Sequence, residues 1–175
     1  MDKILVTYAS RTGTTKGVAE AIGNILMKDG FQVETLPMED VKDLAGYCAV
    51  VAGSAIQSAQ WLPEAFEFVR KNQAALQKLP VAMFSVCMTL AMKNGEKYRQ
   101  AIQQWVEPVR YILKPVSEEI FKGKLEIGRI QSIGQRIKFR ISVLVGVWKE
   151  GDQRDWNVIG TWAQSLKGTL IDGKR

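Results

Sequence analysis

Ser10-Arg11-Thr12-Gly13-Thr14-Thr15 gathers four hydroxyls around one glycine, directly after the apolar run Ile4-Leu5-Val6-Thr7-Tyr8. The apolar run reads as a strand, and the stretch from Lys16 to Met27 continues the turn as a helix. Such a turn sets hydroxyls beside the first amides of a helix. Those amides lack intrahelical acceptors and lie at the positive end of the helix dipole. The arrangement suits a phosphate. No lysine lies inside the loop, so the phosphate it suits is one held by neutral hydrogen bonds.

Other phosphate loops require residues that are missing here. A nucleoside-triphosphate loop needs lysine and then Ser or Thr after its last glycine, an order that Gly13-Thr14-Thr15-Lys16-Gly17 does not give. A dinucleotide loop needs G-x-G-x-x-G, and one glycine lies between Tyr8 and Lys16. A small cysteine phosphatase would carry a thiol in the loop, and none is present. A plain strand-to-helix turn capped by Ser or Thr is the structural alternative.

Tyr8-Ala9-Ser10-Arg11-Thr12-Gly13-Thr14-Thr15 resembles the phosphate loop of the flavodoxin family, an aromatic followed by hydroxyl-x-Thr-Gly-x-Thr, with Thr7 where that family usually has an apolar residue. Gly53-Ser54-Ala55-Ile56, Trp61-Leu62-Pro63-Glu64-Ala65-Phe66 and Leu79-Pro80-Val81-Ala82-Met83-Phe84 extend the likeness. So do Phe121-Lys122-Gly123-Lys124-Leu125 and Gly151-Asp152-Gln153-Arg154-Asp155-Trp156. They resemble the flavodoxin-domain branch that includes menaquinone-dependent protoporphyrinogen dehydrogenase.

The resemblance implies FMN as cofactor. Ser10, Arg11, Thr12, Gly13, Thr14 and Thr15 would surround its phosphate. Ser54, Ala55, Ile56 and Gln57 would flank the ring on one side, and Ser85, Val86, Cys87, Met88, Thr89 and Leu90 on the other. Small residues after Gly53 let backbone approach a planar group. Trp61 either stacks on the ring or anchors the following helix, and Leu62-Pro63 after it favours the anchor. The resemblance further implies electrons taken from a porphyrinogen and passed to a quinone. The alternative is a soluble electron carrier that serves a redox-protein partner and has no substrate of its own.

Composition narrows the chemistry. The chain has 175 residues and no histidine, which excludes a histidine base, a Ser-His pair and an imidazole metal site. A flavin fills that gap, since it brings its own redox chemistry. No apolar run reaches the roughly 20 residues that span a bilayer, and the first residues lack a signal-peptide layout. The expectation is one cytoplasmic domain over residues 1–175. Cys48 and Cys87 are expected on neighbouring strands with an axial offset of roughly 16 Å, beyond disulfide reach, in a reducing compartment.

The net charge is +6, whereas electron-shuttling members of the resembling family are typically acidic. A basic relative should meet an anionic membrane, an acidic protein or a carboxylated substrate. No nucleic-acid motif is present, so nucleic acid is not an expected partner.

The elements that position these residues alternate strand and helix. Strands are expected at Lys3–Tyr8, Phe31–Leu36, Tyr47–Gly53, Val81–Val86 and Glu118–Leu125. Helices are expected at Thr14–Lys28, Pro63–Asn72, Glu96–Leu113 with a bend at Pro108, and Asp155–Leu170. Alternation of this kind gives an α/β protein with helices on both faces of a parallel sheet. A phosphate loop after the first of five strands points to a flavodoxin-like three-layer sandwich with strand order 2-1-3-4-5. Loops Ser10–Thr15, Gly53–Trp61 and Ser85–Met92 then converge at the carboxyl edge of the sheet, where ligands bind in such folds.

A basic insertion precedes the last helix. From Ile127 to Lys149 there is no carboxylate, while Arg129, Arg136, Lys138, Arg140 and Lys149 carry positive charge. At helical spacing Ile130, Ile133, Ile137, Ile141, Leu144, Val145 and Trp148 share a face. As a helix the segment 127–149 suits peripheral contact with the anionic inner face of a membrane. Arg136 to Val143 also alternates as a strand would; the family resemblance favours the helix. A third possibility is that the apolar stripe covers the domain and the charges are solvated.

Overall fold

The computed structural model describes residues 3–130 and 132–172. Five parallel strands form the central sheet: β1 (Lys3–Ala9), β2 (Gln32–Pro37), β3 (Ala49–Gln57), β4 (Val81–Cys87) and β5 (Ser117–Lys122). Their order is β2-β1-β3-β4-β5, the flavodoxin-like arrangement expected from the alternation. Register is set by pairs such as Ile4 with Val33 and with Ala49, Val50 with Val81, and Ser85 with Ile120.

Helices α1 (Thr14–Lys28) and α6 (Trp156–Asp172) cover one face of the sheet. Ile4, Val6 and Tyr8 of β1 meet Val18, Ile22 and Leu26 of α1 there, with Ile159 and Leu166 of α6 beside them. Helices α2 (Pro63–Lys71) and α4 (Glu107–Leu113) cover the other face, where Leu5 and Ala9 of β1 meet Phe68, Val69, Val109 and Leu113. This division follows from the two-residue period of a strand. Strand β4, covered on both faces, is buried along its whole length and accordingly reads as a continuous apolar run.

Four expectations need correction. Strand β3 runs on to Gln57 instead of stopping at Gly53, because Ser54 and Ala55 still pair with β1 and β4 and Ile56 and Gln57 fold back on the short strand Gln60–Trp61. The strand expected over Val81–Val86 runs one residue further, so that Cys87 belongs to β4 and the loop after it is shorter than Ser85–Met92. The helix expected over Glu96–Leu113 is three pieces: a 3₁₀ turn at Gly95–Tyr98, α3 (Arg99–Trp105) and α4. Pro108 lies in the first turn of α4, where its missing N–H goes unmissed. Finally, β5 stops at Lys122. Lys124–Leu125 leaves the sheet to pair antiparallel with Gly151–Asp152, making a small ribbon at the base of the insertion.

Of the two readings of the insertion, helix is the one observed. Helix α5 (Ile133–Leu144) is capped by Ser132, whose hydroxyl accepts from the Gln135 amide at 3.4 Å. Ile130 and Trp148 lie outside it. No residue of α5 is buried, so its apolar stripe is not a cover for the sheet. No disulfide joins Cys48 to Cys87. Among the described residues, no helix is long and apolar enough to cross a membrane.

Candidate functional site

The loop between β1 and α1 lies at the carboxyl edge of the sheet. Gly13 takes φ 83°, a left-handed conformation that glycine adopts without steric cost, and this turns the chain into α1. The Gly13 amide donates to the Ser10 hydroxyl at 3.1 Å, and the Thr12 and Thr14 hydroxyls lie 3.1 Å apart. The Gly17 amide closes onto the Gly13 carbonyl at 3.0 Å, leaving the amides before it without intrahelical acceptors. Thr15 is buried, yet its hydroxyl has no hydrogen-bond partner within the protein. A buried polar group left in this state costs about 1–3 kcal/mol, and a ligand oxygen in the adjoining cleft would relieve it.

That cleft has a volume of about 170 Å³. Ser10, Arg11, Thr12, Thr14 and Thr15 line it together with Ala55, Ile56 and Gln57 from β3, Val86 from β4 and Met88 just after it; Ala55 and Val86 are paired neighbours in the sheet. Hydroxyls and apolar side chains in one cleft fit a phosphate joined to a flat apolar ring.

The remaining sequence-derived residues do not line the cleft. Gly13 shapes the loop instead. Ser54 is buried; its hydroxyl accepts from the Leu62 amide at 3.1 Å and donates to the Ala55 carbonyl at 2.8 Å. Ser85 is also buried and accepts from the Trp61 indole N–H at 2.8 Å. These two serines brace strand ends, and Trp61 anchors the start of α2 as its neighbours suggest. Cys87 and Leu90 pack with Ile102 and Ile120. Thr89 opens a 3₁₀ turn.

The cleft also includes Leu62, Gly123 and Lys124, which the sequence reading did not assign. Gly123 and Lys124 come directly after β5, so they too lie at the carboxyl edge, the available signal. Lys124 pairs with Glu126 at 2.6 Å and holds that carboxyl below its ordinary pKa.

Cations reach the loop from far along the chain. Arg129 donates to the Thr12 carbonyl at 3.4 Å and Arg154 to the Thr14 carbonyl at 3.2 Å. Asp152 grips Arg154 at 2.6 and 2.8 Å, and the guanidinium lies 4.4 Å from the Trp156 ring centre. Its hydrogen bonds to Asp152 lower that carboxyl's pKa. Arg11, the loop's own cation, is drawn to Glu64 at 2.9 Å. Each of these cations has a carboxylate beside it, Arg129 with Glu126 at 3.0 Å, so they brace the loop as ion pairs.

A family model described as Flavodoxin domain matches residues 5–145. Protoporphyrinogen IX dehydrogenase (quinone) of Escherichia coli strain K12 is 27% identical over 97 residues, 54% of this chain and 52% of that protein. The chain thus matches about half the length of these curated relatives. Among solved structures, a short-chain flavodoxin associated with a non-canonical PDU bacterial microcompartment superposes with a TM-score of 0.59 at 14% identity, covering 97% of this chain and 99% of that one. An archaeal flavodoxin gives 0.51 at 19% identity, over 94% and 99%. These two likenesses concern the fold.

Proposed function

Because this chain belongs to the flavodoxin domain family, we propose that it is an FMN-dependent oxidoreductase delivering electrons to a quinone, of the protoporphyrinogen dehydrogenase type. FMN is the cofactor of this fold. The observation that carries the reading is the partnerless, buried Thr15 hydroxyl in a cleft that Ser10, Thr12, Thr14, Ile56 and Met88 also line. The likeness to a quinone-linked dehydrogenase and the net charge of +6 support the finer part.

In this reading Ser10, Thr12, Thr14 and Thr15, with the amides around Gly13, hold the phosphate. Arg154 and Arg129 keep the loop in shape. Ala55, Ile56, Gln57, Val86 and Met88 contact the ring, and Leu62 helps exclude water. Bound FMN supplies the redox chemistry. No side chain is assigned a catalytic proton transfer. The protein works in the cytoplasm, with peripheral contact at the inner face of the membrane through 127–149, where an apolar quinone resides.

Anaerobic reduction of the FMN-loaded protein, followed by mixing with a naphthoquinone, tests this reading. Rapid reoxidation is expected, and protoporphyrinogen should then reduce the flavin. Failure of the quinone to reoxidise it would favour the carrier that serves a redox protein.

A further inference from the structure

Helix α5 turns its apolar side outward. Ile133, Ile137, Ile141 and Leu144 are spaced to share one face and are 72%, 55%, 56% and 85% exposed. The half-buried residues of the helix are Arg136, Phe139, Ser142 and Val143. A surface helix ordinarily sends such an aliphatic row to the core and its polar side to water. Here Arg136 and Arg140 border the row on one side and Lys138 on the other, by helical geometry. Val145 and Val147, also exposed, continue the apolar surface past the helix. The stretch from Ile127 to Lys149 carries no carboxylate.

We infer that this face docks flat on an anionic lipid bilayer. The aliphatic row enters the boundary between headgroups and acyl chains, and the exposed Lys138 and Arg140 meet headgroup phosphates, while Arg136, half-buried, donates to the Ile130 carbonyl. An in-plane amphipathic helix binds through these two contributions together. Charge selects the occupant. Pairing this face with its equivalent on a second copy would oppose two cationic rims with no carboxylate on either, a repulsive arrangement. An anionic bilayer complements both rim and row.

A second cavity lies behind the docked face. A crevice of about 460 Å³ separates α5 from the end of β3, lined by Gln57, Gln135, Lys138, Phe139, Ser142 and Trp148. Gln57 also lines the cleft beside the phosphate loop, so the two cavities share a wall. Phe139 and Trp148 meet edge to face at 5.8 Å in the crevice, and its amides, hydroxyl and ammonium are donors for carbonyl oxygens. The crevice lies on the side of α5 turned away from the aliphatic row, since Gln135, Phe139 and Ser142 fall about half a turn from Ile137 and Ile141, so it sits behind the docked face. The docking specifies the membrane contact of the proposed function without resting on its quinone-linked part.

Cosedimentation of the full FMN-loaded chain with phosphatidylethanolamine–phosphatidylglycerol vesicles, against phosphatidylcholine vesicles, tests the inference. Strong binding is expected only to the anionic vesicles. The double variant Ile137→Ser/Ile141→Ser should weaken it by at least about tenfold, given the buried hydrocarbon lost. Lys138→Gln and Arg140→Gln should each weaken it about fivefold. The isoleucine variant should retain the visible spectrum of bound FMN, which reports an intact fold. Equal binding to phosphatidylcholine, or binding indifferent to the isoleucine pair, overturns the inference. So does absence of vesicle binding, whether the chain is monomeric or a dimer that the same variant breaks. Reoxidation by water-soluble menadione separates the two ideas: docking without reoxidation removes only the quinone reading, and reoxidation without docking removes only the membrane face.

Discussion

Arg154 donates to the carbonyl of Thr14 at 3.2 Å, so a residue beyond the insertion braces the first turn of the helix after the phosphate loop. Gly17 makes room for the contact, since an added Cβ would lie 2.7 Å from the Arg154 guanidinium and its tip would have to shift. Asp152 and Trp156 fix the arginine from two further sides, so the guanidinium is held in place against the loop.

Replacing Arg154 by alanine should weaken FMN binding by about tenfold, the worth of one charge-assisted hydrogen bond. Riboflavin, which has no phosphate, should bind the variant and the parent alike. Flavin fluorescence titrations measure both affinities. An equal loss for the two ligands would mean that Arg154 supports the fold at large and not the phosphate loop.

Thr15→Val should separate binding from stability. Valine keeps the shape of threonine and removes a buried hydroxyl that has no partner. Urea unfolding of the FMN-free variant should show a gain of about 1 kcal/mol, while FMN affinity falls by about tenfold.

The phosphate loop and the sheet were legible because both depend on local pattern: hydroxyls around Gly13, and apolar residues at the period of a strand. The carboxyl ends of the strands were harder to read. Gly53-Ser54-Ala55 has the composition of a loop, yet it pairs on both sides because β1 and β4 extend alongside it. Ser54 and Ser85 look like ligand contacts, but buried neighbours use their hydroxyls first. Arg129 and Arg154 act on the loop through contacts that sequence spacing does not encode. Periodicity likewise gave α5 an apolar face without saying which way it would be turned.

Ser85→Ala tests one of these reassignments. It would leave the buried Trp61 indole N–H without its acceptor, a loss of about 1–3 kcal/mol measurable by chemical denaturation. FMN affinity should stay close to that of the parent, because Ser85 does not line the cleft. A large loss of affinity at unchanged stability would restore Ser85 as a ring contact.

At the sheet edge, the Tyr47 hydroxyl donates to Glu34 at 2.5 Å, and Lys3 pairs with the same carboxylate at 2.8 Å. Burial, and then the Glu34 carboxylate, push the Tyr47 phenol up from 10.0 to about 12. The protonated phenol is thus favoured in the folded state, and its stabilisation is intact below the unfolded value. It is lost as pH rises from 10.0 towards about 12. Tyr47→Phe should flatten that part of the stability profile. Glu34 is shifted the other way by its hydrogen bonds with Lys3 and Tyr47. Its contribution is present above the ordinary value of 4.5 and is lost as pH falls through the lower folded value.

The most direct measurement is titration of the flavin-free protein with FMN and, in parallel, with riboflavin, followed by visible absorbance and fluorescence quenching. A saturable FMN complex with perturbed absorbance bands, and riboflavin bound at least about a hundredfold more weakly for want of the phosphate's charged hydrogen bonds, is the expected result. No FMN complex, or equal affinity for the two flavins, would contradict the assignment of the Ser10–Thr15 loop as the phosphate site of a flavin oxidoreductase.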